Sequence, residues 1–313
     1  MRRGAAAAVA IAAAVAVTGC STRTEQAAPP PRPMVQAETP PPPTPVTADF
    51  ALHGALTQGG LALGTVPPGT VALTLDGRPV GIAPGGRFLI AFGRDAAPSA
   101  ALVGRTADGR LLRQQIAITQ RSWQIESIPS LVQTTKPDPE YERLRQSELA
   151  RIAAARAMKT DAEGWRQAFA WPATGRISGI YGSQRILGGV PRAPHYGVDI
   201  ARPAGTPVAA PADGVVVLAG PPKFSLEGNL LIIDYGMGLN SAFLHLSRVD
   251  VKVGDHVRQG QVVGAIGMTG RATGPHLHWA MNLGDVRIDP ALLVPPMTGS
   301  AAATAPVKAS GGD

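Results

Sequence analysis

The stretch Gly274–Trp279, GPHLHW, sets two of the chain's 6 histidines one residue apart in a sequence of 313 residues. On an extended strand, residues i and i+2 point to one face and the residue between them to the other. His276 and His278 therefore share a face, and Leu277 points away from it. Two imidazoles on one face suit a metal site or an acid–base pair, and chance pairing is the rival reading. The neighbouring segments decide between them.

Around this stretch, residues 169–295 are rich in strand-like runs separated by Gly and Asp: TPVAAPADGVVVLAG, NLLIIDYG, NSAFLHLS, GQVVGAIG and HLHWAMN. His195 opens HYGVD, with Asp199 four residues on. Positions i and i+4 of an extended chain share a face, so both can reach one point. His278, from a second strand, completes a set of two histidines and one carboxylate. Such nitrogen and oxygen ligands suit zinc, and three protein ligands leave a fourth position open, as in catalytic sites. His245, in FLHLS, and His276 then remain as bases beside the metal. Asp213, Asp234, Asp255 and Asp289 are alternative ligands in principle. Their contexts (ADG, DYG, GDH, IDP) favour solvated or turn-forming roles. His256, in VGDHVRQG, is expected in a hairpin turn.

The segments RISGIYGSQR, HYGVDIARPAGTPVAAPADGVVVLAG, GNLLIIDYGMGLNSAFLHLS, VKVGDHVRQGQVVGAIGMTG and TGPHLHWAM, between Arg176 and Met281, resemble the lysostaphin/LytM-type zinc metallopeptidases. Members of that family cut peptide bonds in bacterial peptidoglycan. The resemblance makes His195, Asp199 and His278 the zinc ligands, and His245 and His276 a catalytic pair beside the metal. It implies a zinc endopeptidase acting on wall cross-links: D-Ala to diaminopimelate in a Gram-negative cell, a glycine bridge in other relatives. Relatives that have lost ligands serve as activators of other hydrolases. Here all five positions are filled, which favours an enzyme over a closed, non-catalytic wall-binding activator. Tyr235, Phe243 and Trp279 depart from the residues usual in relatives and are expected to flank the groove. The insertion-like ILGGVPRAP before His195 is expected to shape or cover it.

The remaining segments read differently. MRRGAAAAVAIAAAVAVTGC has a basic start, an apolar run and small residues, the layout of a secretory signal over residues 1–20. Val17-Thr18-Gly19-Cys20 resembles a bacterial lipoprotein signal, and Cys20 is the only cysteine in the sequence. Lipidation of Cys20 would anchor the chain in a membrane, with Ser21 pointing to the outer membrane and the periplasm. Residues 21–48, with nine prolines before residue 46, read as a disordered polyproline tether. Residues 49–130 carry hairpin signals at Asp76-Gly77 and Asp108-Gly109, and are expected to form a small β-domain that binds an envelope partner or positions the enzyme. Residues 136–168 are read as a helical connector capped at Asp138, with a thin apolar stripe of Tyr141, Leu144, Leu149 and Ile152. Residues 296–313 read as a disordered tail. The formal charge of +7 suits an anionic wall polymer, and the absence of a basic run interleaved with aromatics argues against nucleic acid. The expected fold class is mainly β: a β-rich N-terminal domain, a helical connector and an antiparallel β-sheet LytM-like peptidase domain with a groove across one face.

Overall fold

The computed structural model describes residues 46–130 and 138–297. The leader with Cys20, residues 21–45 of the proline-rich stretch, residues 131–137 and the tail from residue 298 lie outside the described residues. Nine strands come first: β1 (Val46–Thr47), β2 (His53–Gly54), β3 (Leu61–Thr65), β4 (Thr70–Leu75), β5 (Arg78–Val80), β6 (Arg87–Ala91), β7 (Ser99–Thr106), β8 (Leu111–Ala117) and β9 (Ile125–Ile128). Two sheets, ordered β1-β8-β7-β4-β5 and β2-β3-β6, enclose Phe50, Phe88, Ile90, Leu102 and Ile116. The Asp76-Gly77 hairpin turn has both residues at positive φ, 47° and 78°, which matches the twist of the flanking strands. Val71 does not share the inward face of Leu73. The β4–β7 register slips between Thr70 and Ala72, and this bulge turns Val71 to solvent. Residues 46–48, read as the end of the tether, instead pair with β8.

Helix α1 (Pro139–Ala157) begins as its sequence dictates: Asp138 accepts from the Glu140 amide at 3.0 Å, Pro139 fills the first turn, and Glu140 and Glu142 meet the positive end of the dipole. It is shorter than the 136–168 segment expected. Thr160 donates to the buried Asp234 carboxylate at 2.5 Å, and the Trp165 amide donates to the Tyr235 carbonyl at 3.0 Å. These contacts draw residues 158–168 off the helix and onto the sheet, where Trp165 and Phe169 enter the core.

The second set of strands is β10 (Arg176–Gly179), β11 (Gln184–Leu187), β12 (Val190–Pro191), β13 (Val198–Ala201), β14 (Pro207–Ala209), β15 (Gly214–Leu218), β16 (Asn229–Asp234), β17 (Leu239–Leu246), β18 (Arg248–Val249), β19 (His256–Val257), β20 (Val262–Ala265), β21 (His276–Leu283) and β22 (Val286–Ile288). An eight-stranded sheet runs β10-β13-β21-β17-β16-β15-β19, with β22 on β21, and a three-stranded sheet runs β14-β20-β18. The core fills the space between them: Ile200, Leu231, Ile233, Phe243, Leu277, Trp279 and Met281 face Val208, Val263 and Ile266. The opposite face of the large sheet carries Leu230, Ile232, Ala242 and Ala280, and α1 covers it with Ile152 and Ala155. A strand buried on both faces reads as an unbroken apolar run, as NLLIID does. Full burial of a side chain such as Ile152 is worth about 1.5–3 kcal/mol.

That alternation corrects three expectations. Tyr235, Phe243 and Trp279 do not flank a groove; they are fully buried in the core, Trp279 on the face opposite to His278 beside it. His256 lies in edge strand β19, paired with Val215, instead of a turn. Asp234 is buried, not solvated. The insertion before His195 forms the β11–β12 hairpin, and β11 pairs in parallel with β9 of the N-terminal unit.

Candidate metal centre

Strands β13 and β21 run antiparallel with Asp199 directly opposite His278. Both side chains emerge on the face away from the core, because their neighbours Val198, Ile200, Leu277 and Trp279 fill it. His195 sits in the turn before β13. Its amide donates to the Ser183 carbonyl at 2.8 Å, and its carbonyl accepts from the Gly182 amide at 2.8 Å. Its Nδ1–H donates to the Ile180 carbonyl at 3.0 Å, which leaves Nε2 as the lone-pair nitrogen of the neutral ring.

That Nε2 lies 3.1 Å from Asp199 Oδ1 and 3.0 Å from His278 Nδ1, and the last two atoms are 2.8 Å apart. Three electron-rich atoms thus form a triangle that one proton cannot satisfy. Tetrahedral zinc with bonds of about 2.0–2.1 Å separates its ligands by roughly 3.3 Å, so the set fits that ion with one face open. Among the described residues, His195, Asp199 and His278 are the one such cluster of three. Burial pushes the Asp199 carboxyl up, but the His195 and His278 rings set against Oδ1 outweigh it and hold the group well below the usual carboxylate range. Gly197 makes room for His278: a Cβ there would stand 2.6 Å from its Nε2.

His245 and His276 stand beside the cluster, with ring centroids 4.8 Å apart. His245 Nδ1–H donates to the Thr269 carbonyl and His276 Nδ1–H to the Gly274 carbonyl, each at 2.8 Å. Both rings therefore turn a bare Nε2 outward when neutral, and His276 Nε2 is 3.9 Å from Asp199 Oδ1. Burial pushes His245 below the ordinary histidine value, favouring that neutral form. The backbone of His245 is left-handed, φ 64°, at a bulge where the β16–β17 register slips between Asn229 and Leu231. The bulge swings its side chain off the core parity of Phe243 and onto the open face. His195, Asp199, His276 and His278 keep 24, 21, 17 and 15% of their side-chain surface exposed.

The five residues singled out from the sequence thus meet at one place, and the alternative carboxylates do not join them. Asp213 and Asp255 accept amides of nearby turns, Asp234 is tied to Thr160, and Asp289 pairs with Arg121 at 2.9 Å. Sequence reasoning missed the backbone carbonyls of Ile180, Thr269 and Gly274, which fix three of the rings. A carbonyl carries no residue-type signal.

Comparison with known proteins agrees with this geometry. The model of Peptidase family M23 matches residues 193–290, from the turn of His195 to the end of β22. Over 107 residues the chain is 43% identical to the peptidoglycan DD-endopeptidase ShyA of Vibrio cholerae, a match covering 34% of this chain and 24% of that protein. It is 40% identical to the DD-carboxypeptidase/endopeptidase Mpg of Neisseria meningitidis, again over 33% of this chain and 24% of the relative. The chain thus spans about a quarter of the length of these curated relatives, 24% in each case. A crystal structure described as a peptidase M23 from Pseudomonas aeruginosa superposes with a TM-score of 0.58 at 30% identity, covering 76% of this chain and 94% of that one. On that near-complete match, together with the family model lying over the histidine-bearing strands, the chain belongs to peptidase family M23.

Proposed function

We propose that this protein is a zinc-dependent endopeptidase that hydrolyses peptide cross-links of bacterial peptidoglycan, with the D-Ala to diaminopimelate bond as its target. The observation that carries the reading is the convergence of His195 Nε2, Asp199 Oδ1 and His278 Nδ1 within 3.1 Å, beside the rings of His245 and His276, whose centroids are 4.8 Å apart. His195, Asp199 and His278 would hold the metal. When bound, zinc supplies a Lewis acid for the scissile carbonyl and a lowered pKa, near ~7, for the attacking water. The proton of that water passes to Nε2 of one of the pair His245 and His276, and from there to the departing amine. The other histidine, in its protonated form, would donate from Nε2 to the oxygen on which charge develops. The carbonyls of Thr269 and Gly274 keep Nδ1–H engaged on both rings and leave each Nε2 for the proton exchange. The DD-endopeptidase names of the relatives support the substrate class, and the positive net charge suits an anionic polymer. We place the protein in the periplasm, anchored to the outer membrane through a lipid on Cys20.

The test is digestion of purified cross-linked sacculi by the full chain in detergent, with released muropeptides identified by mass spectrometry. Loss of cross-linked dimers that stops with a zinc chelator and in His278→Ala is the expected result. Intact dimers after incubation with zinc-loaded, folded protein would overturn the reading.

A further inference from the structure

We infer that the N-terminal β unit completes the metal centre, with Arg94 and Trp123 acting as positioning residues for His195. The inference rests on the reading of His195 as a metal ligand. His195 makes three of its hydrogen bonds to one turn, residues 180–183, through Ile180, Gly182 and Ser183. That turn has no sheet ladder to hold it, because β10 ends at Gly179 and β11 begins at Gln184.

The N-terminal unit holds it instead. Arg94, only 7% exposed, donates from Nε to the Gly182 carbonyl at 2.8 Å and from Nη2 to Gln184 Oε1 at 3.3 Å. The Gly182 peptide is therefore a bridge, its amide spent on His195 and its carbonyl on Arg94. Trp123 closes the same turn from above. A Cβ on Gly182, whose φ is 83°, would lie 2.0 Å from the indole Cε3, so the ring rests directly on the backbone. The indole also meets Tyr181 edge-on, with centroids 5.8 Å apart, and carries the guanidinium groups of Arg94 and Arg121 at 5.2 and 4.7 Å from its ring centroid. Arg121 is fixed in turn by Asp289. The Gln184 amide donates to the Gln124 carbonyl at 2.9 Å, and the parallel β9–β11 pairing continues the grip along the hairpin. Arg94, Arg121 and Trp123 all lie outside residues 193–290, which the family model matches.

Zinc is the probe. Affinity is measured for the full chain by competition with a chromophoric chelator, and ligand geometry by the visible spectrum after cobalt substitution. Arg94→Ala and Trp123→Ala are expected to weaken zinc binding roughly tenfold, the lower end of the loss seen when groups orienting a metal ligand are removed, and to alter the cobalt spectrum. Phe88→Leu, in the core of the N-terminal unit and away from the turn, is expected to lower thermal stability while leaving zinc affinity within about twofold. Arg94→Lys keeps charge and bulk but gives up the directed Nε donation, and carries the test if the alanine variants fail to fold. Folded Arg94 and Trp123 variants that bind zinc like wild type overturn the inference, as does an equal loss in Phe88→Leu. Wild type that takes up no zinc overturns the metal reading itself, and the inference with it.

Discussion

His245 adopts a left-handed backbone that costs a non-glycine residue on the order of 1 kcal/mol or more, and its side chain is the one the bulge brings to the open face. The histidines themselves were legible because their spacing is local: i and i+2 on β21, i and i+4 into β13. The facing of Phe243 was not, since a bulge is set by the register of β16 and leaves no mark in the chain around it. If His245 and His276 move protons while the other three hold the ion, substitutions must separate into two classes. His276→Ala and His245→Asn, the latter able to keep the left-handed backbone, should each lower kcat about 10²–10⁴-fold while binding one zinc per chain. His278→Ala should lose the metal as well as the activity. Metal analysis of each purified variant beside its turnover checks this, and a zinc-free His276→Ala would move that residue into the ligand set.

At the scale of elements, α1 is held more by charge than by apolar contact. Tyr141, Leu144 and Leu149 of its expected stripe are exposed, and only Ile152 of the four is buried. Arg145 makes a bidentate pair with Glu227 at 2.7 and 2.6 Å and reaches Glu148 at 3.0 Å, while Glu148 accepts from Ser225. Removing one partner strands the others largely out of water. Arg145→Ala should therefore cost about 2–3 kcal/mol, read as a lower denaturation midpoint, and unchanged stability would show that the helix is not held by this pair. The helix start was legible from Asp138-Pro139, but its end was not, because Thr160 leaves the helix for a carboxylate 74 positions away. That carboxylate has a pH signature of its own. Burial pushes Asp234 above the usual carboxylate range despite donation from Thr160 and Gly236. A raised folded pKa means stability that is full below the unfolded value of 3.8 and lost as pH rises through the folded value. Ionised Asp234 therefore weighs against the fold at neutral pH. Asp234→Asn should melt no lower than wild type at pH 7, with wild type gaining on it as pH falls toward 4. A variant clearly less stable at pH 7 would contradict this.

For the described molecule as a whole, the question is whether two β units behave as one. The sequence suggested separate domains joined by a helix, because each unit carries its own strand and turn signals. It could not show that Ala83, Leu89 and Ala91 of the first unit join the core cluster of Met281 and Ile288 in the second. Nor could it pair Arg121 with Asp289, or β9 with β11, across distances that only the folded chain spans. A cluster common to both units, a mostly buried ion pair and a strand ladder give neither unit a dry surface it can expose at no cost. Unfolding should then be a single calorimetric transition with equal van't Hoff and calorimetric enthalpies. Because the proposed zinc ligand His195 sits where the units meet, metal should raise that transition as one. Free zinc at a thousand times Kd adds about 4 kcal/mol to the folded state. For a chain of this size that is a shift on the order of 10 °C. Differential scanning calorimetry with zinc and with excess chelator measures both quantities. Two separated transitions, of which zinc moves only one, would mean that the peptidase sheet holds its metal without help from the N-terminal unit.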